Sequence, residues 1–336
     1  MMNKKIRRQL EEFHEGPKAG AVDFAWPYLK HSDRFIRFAA RIAIENQPVS
    51  EWQNKLFSEK DPVIITQASI ALARKGKPDV KNQVLKLLTS VDYSALSEPQ
   101  QIDLQRAFEL VFARMGMPDA AMKTAVANYL SPHYPAATND LNRELSKLLV
   151  YIDAPQAVEK TMTLLATAKD DDSGQKTISE SSDLIMRNPQ YGMDIAGMLS
   201  KIPPQQQTWY AIVLSQAKNG WTKESEEKYY QWFYNAFTFK GGHSFIGFIN
   251  QARKNALTNV PKDQFAFYNK MSGDSLVGSS GIYVVSGIQQ PKGPGRDWEL
   301  DEATKVADSG IVHRDFDRGK AMFAASLCIS CHTMRG

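Results

Sequence analysis

From Ile6 to about Tyr268 apolar residues recur at three-and-four spacing, alternating β-branched runs are few, and the polar connections are short. That period gathers side chains on one face of an α-helix. In "DRFIRFAARIAIENQ" it predicts a helix whose buried stripe carries Phe35, Ala39, Ile42 and Ala43, with Phe38 beside them and Arg34, Arg37, Arg41 and Glu45 on the other side. Ser32 or Asp33 is placed to cap this helix, because a short oxygen-bearing side chain satisfies the unpaired N–H groups of a helix start. "SEWQNKLFSE" and "DPVIITQASIALARKG" repeat the shape: a short helix, a polar turn at Asp61-Pro62, then a helix with Ala68, Ile70, Ala71 and Leu72 small or apolar and Gly76 at its stop. Pro62 suits a first helical turn, where its missing N–H has no partner to lose.

The same periodicity predicts helices in "QQIDLQRAFELVFARMG", "AAMKTAVANYL", "LNRELSKLLVYI", "QAVEKTMTLLATA", "QQQTWYAIVLSQA", "ESEEKYYQWFYNAF" and "HSFIGFINQARKNAL". Each has one apolar face that a neighbour must cover. Pairs recur at roughly forty-residue intervals, which predicts an all-α fold of the HEAT or armadillo kind, an α-solenoid with degenerate repeats, over residues 1–270. Residues 271–296 are rich in glycine, serine and proline; only "IYVV" resembles a strand, and the stretch reads as a linker. Residues 297–336 form a last segment, with a short helix, a turn at Gly310 and a second helix from about Asp317.

Composition changes this picture little. A chain of 336 residues that is 43% hydrophobic and 23% charged can bury a sizeable core. Forty-one basic against 37 acidic side chains leave a formal charge of +4, dispersed along the chain, so no nucleic-acid partner is expected. No window reaches the length of a spanning apolar helix, and "MMNKKIRRQLEEFHEG" carries positive charge without the apolar run of an export signal. Two cysteines exclude a disulfide framework and a four-cysteine zinc site.

Those two cysteines carry the chemistry. Cys328-Ile329-Ser330-Cys331-His332 is C-x-x-C-H, the pattern of covalent c-type haem attachment. Thiols at this spacing sit on one face of a helical turn and can each add to a haem vinyl group as a thioether, while the adjacent His332 can bind the iron as proximal ligand. Other uses of the pair fit less well. A thioredoxin-like pair opens a helix after a strand, whereas these thiols close a helical run. A zinc knuckle needs more ligands than the pair and His332 supply. Two buried, inert thiols are the plain alternative. Met334 lies too close to His332 to reach the opposite face of the iron, so any distal ligand comes from elsewhere.

The lead-in "RGKAMFAASLCISCH" resembles the N-terminal helix of class I cytochrome c domains, in which a glycine and an aromatic one turn later, here Gly319 and Phe323, pack against the domain's C-terminal helix. One extra residue between Phe323 and Cys328 departs from the commonest cytochromes and shifts the helix-to-haem geometry. With "HSDRFIRFAARIAIENQPVSEWQ", "TWYAIVLSQAKNGWTKESEEKYYQWFYNA", "GGHSFIGFINQARKNAL" and "DWELDEATKVAD", the chain resembles the haem-binding domain proteins of planctomycete and verrucomicrobial type from about residue 30 onward. The resemblance implies a helical repeat region followed by a cytochrome c domain, often behind a sugar-dehydrogenase-like β-propeller. It carries over only Cys328, Cys331 and His332 as functional positions, with covalent haem c as cofactor. It also implies a redox partner, a dehydrogenase-type domain and a respiratory electron acceptor, and a periplasmic or extracytoplasmic location. A class I domain needs on the order of 70 more residues to wrap a haem, so the chain is expected to be a fragment truncated at the start of its cytochrome domain.

Other signals have plainer readings. Asp170, Asp171 and Asp172 miss the EF-hand spacing and read as a solvated loop. Gly273, Gly278 and Gly281 lack the Gly-Lys-Ser/Thr of a phosphate loop and read as flexibility. The aromatic run from Trp209 to Phe239 reads as core at helical spacing, and His243 and His313 read as structural. No residue marks a chemical step on a substrate, so the alternative to electron transfer is a helical-repeat interaction scaffold in which the C-x-x-C-H is unused.

Overall fold

The computed structural model describes residues 2–170, 203–239, 243–277, 295–310, 315–326 and 328. It divides into two compact units, Met1–Leu276 and Val277–Gly336. Among the described residues every regular element is helical, and no helix is long and apolar enough to cross a membrane. "IYVV", expected as the one strand-like stretch, lies outside the described residues.

The first unit holds α1 (Met2–Glu11), α2 (Ala21–Ala25), α3 (Arg34–Glu45), α4 (Val49–Phe57), α5 (Pro62–Lys75), α6 (Lys81–Leu88), α7 (Glu98–Met115), α8 (Ala120–Leu130), α9 (Asn139–Tyr151) and α10 (Ala157–Thr167). After the next described stretch begins come α11 (Gln205–Leu214), α12 (Lys223–Thr238), α13 (His243–Leu257) and α14 (Phe265–Met271). Local chemistry sets many of the boundaries. Asp33 accepts from the Phe35 N–H at 2.8 Å, and Asp61 accepts from Val63 and Ile64 at 3.0 and 3.2 Å ahead of Pro62. Ser97 and Gln100 form a capping box at α7, and Thr222 with Ser225 forms one at α12.

Packing follows two interleaved series. Each of α1, α3, α5, α7, α9, α11 and α13 touches the next of that series, while α4 touches α6, α6 touches α8 and α10 touches α12. Polar bonds step between neighbouring pairs in the same way. Trp26 Nε1 donates to Glu59 at 2.8 Å, Gln67 to Asp103 at 3.0 Å, the Tyr129 hydroxyl to the Val91 carbonyl at 2.8 Å and the Thr138 hydroxyl to Glu98 at 3.0 Å. These partners stand 33, 36, 38 and 40 residues apart, so each bond joins equivalent places in successive helix pairs.

The core is aliphatic towards the N-terminus and aromatic further on. Trp52 and Phe108 are fully buried among leucines, isoleucines and alanines. In α11 and α12 the rings dominate: Tyr229 meets Trp221, Tyr230 and Phe233 at centroid distances of 5.0, 5.4 and 5.1 Å, and Tyr230 meets Tyr268 at 4.7 Å. Tyr210, Phe233 and Phe237 are buried with them, so this run is largely core. Gly273 ends α14 at φ +83°, where a Cβ would meet the Tyr234 backbone and the Phe237 ring at 3.3 Å. Its role is this close packing in a left-handed turn and not flexibility.

Helix α3 is rotated from its expected register. Ile36, Ala39, Ala40, Ala43 and Ile44 are buried, whereas Phe35 and Phe38, expected at the core, are 55% and 53% exposed. Ile42, expected in the same stripe, is only half-buried, and Glu45, expected outside, is 4% exposed. The reason is steric and electrostatic. α3 is packed by α1 on one side and α5 on the other, and three alanines between two isoleucines admit both backbones where phenylalanines would not. Glu45 can be buried because Arg74 reaches it at 2.8 Å and Arg41 at 3.4 Å.

This register makes a contrast of two neighbouring residues. Ile36→Ala is expected to cost about 2–5 kcal/mol, and Phe35→Ala to stay within about 0.5 kcal/mol of the parent. Urea melts of both variants measure it; similar losses at the two positions would return Phe35 to the core.

Candidate functional site

The second unit contains α15 (Leu300–Gly310) and α16 (Phe316–Ala325). The Asp315 carboxylate caps α16 by accepting from the Arg318 N–H at 2.6 Å, and Asp317 adds negative charge to its first turn. Ser326 closes the helix, its N–H donating to the Met322 carbonyl at 2.9 Å. Cys328 follows two residues later, half-buried and unoxidised, with Sγ 3.8 Å from the Ser326 carbonyl. Cys331, His332 and Met334 lie outside the described residues, as do His313, Asp171, Asp172, Gly278 and Gly281.

Two features of this segment bear on its chemistry. A thiol locked in a disulfide or sealed in a core could not be alkylated by a vinyl group, and Cys328 is neither. None of the described residues in the second unit is buried, so α16 has its Met322 and Phe323 only half-covered. A Cβ at Gly319 would meet nothing within 4 Å, which leaves that flank open as well.

Asp170, expected in a solvated acidic loop, has a defined task. Its carboxylate accepts from the Gln205 and Gln206 N–H groups at 2.9 and 2.8 Å and so caps the start of α11. Among the described residues no three His, Cys, Asp or Glu side chains converge as a metal-binding group. His243 lies in α13 near its start, with its side chain outside what is described.

A second constellation was invisible to motif reading. One face of α3, α5, α7, α9 and α11 carries a connected row of polar groups. Arg41 donates to Gln67 at 3.0 Å, and Gln67 donates to Asp103. Arg106 pairs with Glu109 at 2.7 Å, and Lys147 bridges Glu109 and Glu144, at 2.7 Å from the latter. Arg143 donates to Gln206 at 2.9 Å, and both Arg143 and Lys147 stand 5.6 Å from the Trp209 ring. Beside Lys147 is an apolar groove of about 320 Å³ floored by Phe112, Leu148 and Val213 and edged by Tyr151, Trp209 and Ile212. The row is assembled from five helices that are far apart in sequence, so only the i, i+3 charge spacings within α7 and α9 hinted at it.

Charge sharing in this row is uneven. Burial pushes the Glu109 carboxyl up, but hydrogen bonds from Lys147 and Arg106 outweigh it and hold the group below the ordinary carboxylate range. Burial raises Glu144, and repulsion from Glu109 adds to the rise against the pull of Lys147. Burial alone would lower the Lys147 ammonium; the two carboxylates raise it instead. Arg41 is lowered by burial, with Glu45 opposing that, and Asp103 is raised by burial despite Arg37 and Arg41.

Compared with known protein families, curated proteins and solved structures, the chain gives no match. Its function must therefore be read from its own residues.

The two glutamates respond oppositely to pH. Glu109, with a depressed folded value, contributes stability that is present above its unfolded pKa of about 4.3 and is lost as pH falls through the folded one. Glu144, with a raised folded value, contributes stability that is full below about 4.3 and is lost as pH rises through the folded one. At pH 7, Glu109→Gln is expected to lower stability by about 1–3 kcal/mol, and Glu144→Gln to leave it unchanged or raise it. Melting midpoints of both variants from pH 4 to 8 check this; the reverse order would mean that Glu144 is the carboxylate that Lys147 stabilises.

Proposed function

We propose that this chain is a helical-repeat protein bearing a c-type haem attachment site, and that it serves one-electron transfer. The observation that carries the reading is the C-x-x-C-H at Cys328, Cys331 and His332, directly beyond a capped helix, with Cys328 an unoxidised, partly accessible thiol. In this reading Cys328 and Cys331 each add S–H across a vinyl group to give a thioether, and His332 is the proximal iron ligand. Bound there, the haem supplies a one-electron iron couple. The space beside Gly319 on α16, where a Cβ would meet nothing within 4 Å, is surface that such a group could cover.

The first unit fits the remaining part of the proposal, a HEAT-like α-solenoid. Support comes from two series of helices that contact in sequence and from polar bonds repeating at separations of 33 to 40 residues. Such an array spaces or docks redox partners. By resemblance to the planctomycete and verrucomicrobial haem-binding domain proteins, those partners are a dehydrogenase-type domain and a respiratory acceptor. Covalent attachment needs the extracytoplasmic maturation machinery, which makes the periplasm the expected compartment. A scaffold without haem is the second reading, favoured by the charged and aromatic face of α3 to α11.

A haem stain of a denaturing gel decides between them, on the protein exported into a c-type maturation host. A stained band that disappears in the double variant Cys328→Ser/Cys331→Ser is the expected result. A well-expressed but unstained parent band would leave the scaffold reading in place.

A further inference from the structure

The residues that α3 turns away from the core form a surface of their own. Phe35 and Phe38 stand more than half exposed on the solvent side of the helix, flanked by Arg34, Arg37 and Arg41. With Gln67 and Asp103 they line a groove of about 380 Å³ that spans α3, α5 and α7. Two exposed aromatic side chains interleaved with three arginines on one helix is the composition of interaction hot spots, and not that of a solvated face.

The charges in the groove do not balance. Of its lining, Arg34, Arg37 and Arg41 face one carboxylate, Asp103, while Glu45 lies behind the groove. Glu45 is buried and already committed to Arg74 and Arg41. Arg37 donates to the His31 and Ser32 carbonyls at 2.8 and 3.0 Å, and only its second guanidinium nitrogen approaches Asp103, at 3.9 Å. Arg34 makes no ion pair among the described residues; its guanidinium lies 4.8 Å from the centre of the Phe35 ring. Arg41 lies 5.2 Å from that of Phe38.

A guanidinium stacked on a ring is pre-oriented, with its N–H edge free for bidentate pairing to a carboxylate. We propose that this groove docks an extended acidic segment of a partner protein, in which carboxylates alternate with apolar side chains. The carboxylates would pair with Arg34 and Arg37, and the apolar side chains would cover the free edges of Phe35 and Phe38. A protein segment is favoured over a nucleic acid because the ring faces that a base would stack upon are shared with guanidiniums. This proposal does not depend on haem attachment, since every residue in it lies in the first unit.

Fluorescence anisotropy of a labelled twelve-residue peptide of alternating glutamate and leucine, titrated with the whole chain, tests it. Saturable binding in roughly the micromolar range that weakens with added salt is expected. The Phe35→Ser/Phe38→Ser variant is expected to lose about tenfold or more in affinity with an unchanged melt, because truncating a docked aromatic anchor has that effect. Arg34→Glu, a single exposed change, is expected to show the same direction and serves if the double variant melts early. Either of two results overturns the proposal: peptide binding that is absent or indifferent to both variants, or tighter binding of an oligouridine lost in the same variants.

Discussion

Helix α5 is buried on all sides from Ile64 to Ala73, and the first unit can be assembled only because it is. A helix enclosed in this way must offer small or apolar side chains to every neighbour and leave no polar group unpaired at cost. α5 meets the first demand with Ala68, Ala71 and Ala73 between Ile64, Ile65, Ile70 and Leu72. Polar positions meet the second in part: Thr66 bonds back to the Pro62 carbonyl at 2.8 Å, and Gln67 accepts from Arg41 while donating to Asp103, whereas the buried Ser69 hydroxyl finds no partner. That one amide ties α3, α5 and α7 together. Lengthening it, or making it apolar, would strand a guanidinium on one side and a carboxylate on the other.

From that junction the row of polar contacts extends by the same logic. A carboxylate can be buried at a helix interface only beside cations; here one comes from its own helix, Arg41 for Glu45 and Arg106 for Glu109, and a second, Arg74 or Lys147, reaches across from another helix. The row therefore fixes which helix follows which, while the alanines and leucines beneath it supply the burial. Glu144 shares Lys147 with Glu109, and its burial, together with repulsion from Glu109, raises its carboxyl above the ordinary range.

Helix existence was legible from periodicity, and "AAMKTAVANYL" and "HSFIGFINQARKNAL" correspond to α8 and α13 to the residue. Helix facing was less so. α3 has two apolar stripes a fraction of a turn apart, one through Phe35 and Phe38 and one through Ile36 and Ile44, and ring size draws the phenylalanines to the expected core although arginines flank them. What selects the other is the closeness of α1 and α5, a tertiary fact that no local pattern encodes. Asp170 is similar: its capping bonds go to Gln205 and Gln206, so the sequence around it shows only an acidic run. The cysteine motif is the opposite case, legible as a local pentapeptide, with Cys328 alone among Cys328, Cys331 and His332 within the described residues.

The two units differ in how they can be stable. The first buries whole helices and more than a dozen aromatic and aliphatic anchors, so its helices are fixed by packing. Among the described residues of the second, none is buried, and its two helices are 11 and 10 residues long. Helices of that length are marginal on propensity and capping alone, whatever Asp315 contributes at the start of α16. On the proposed reading, a covalently attached, flat, apolar ring system would add apolar contact beside α16, where Gly319 leaves room for it, and would give two thiols at that spacing a use.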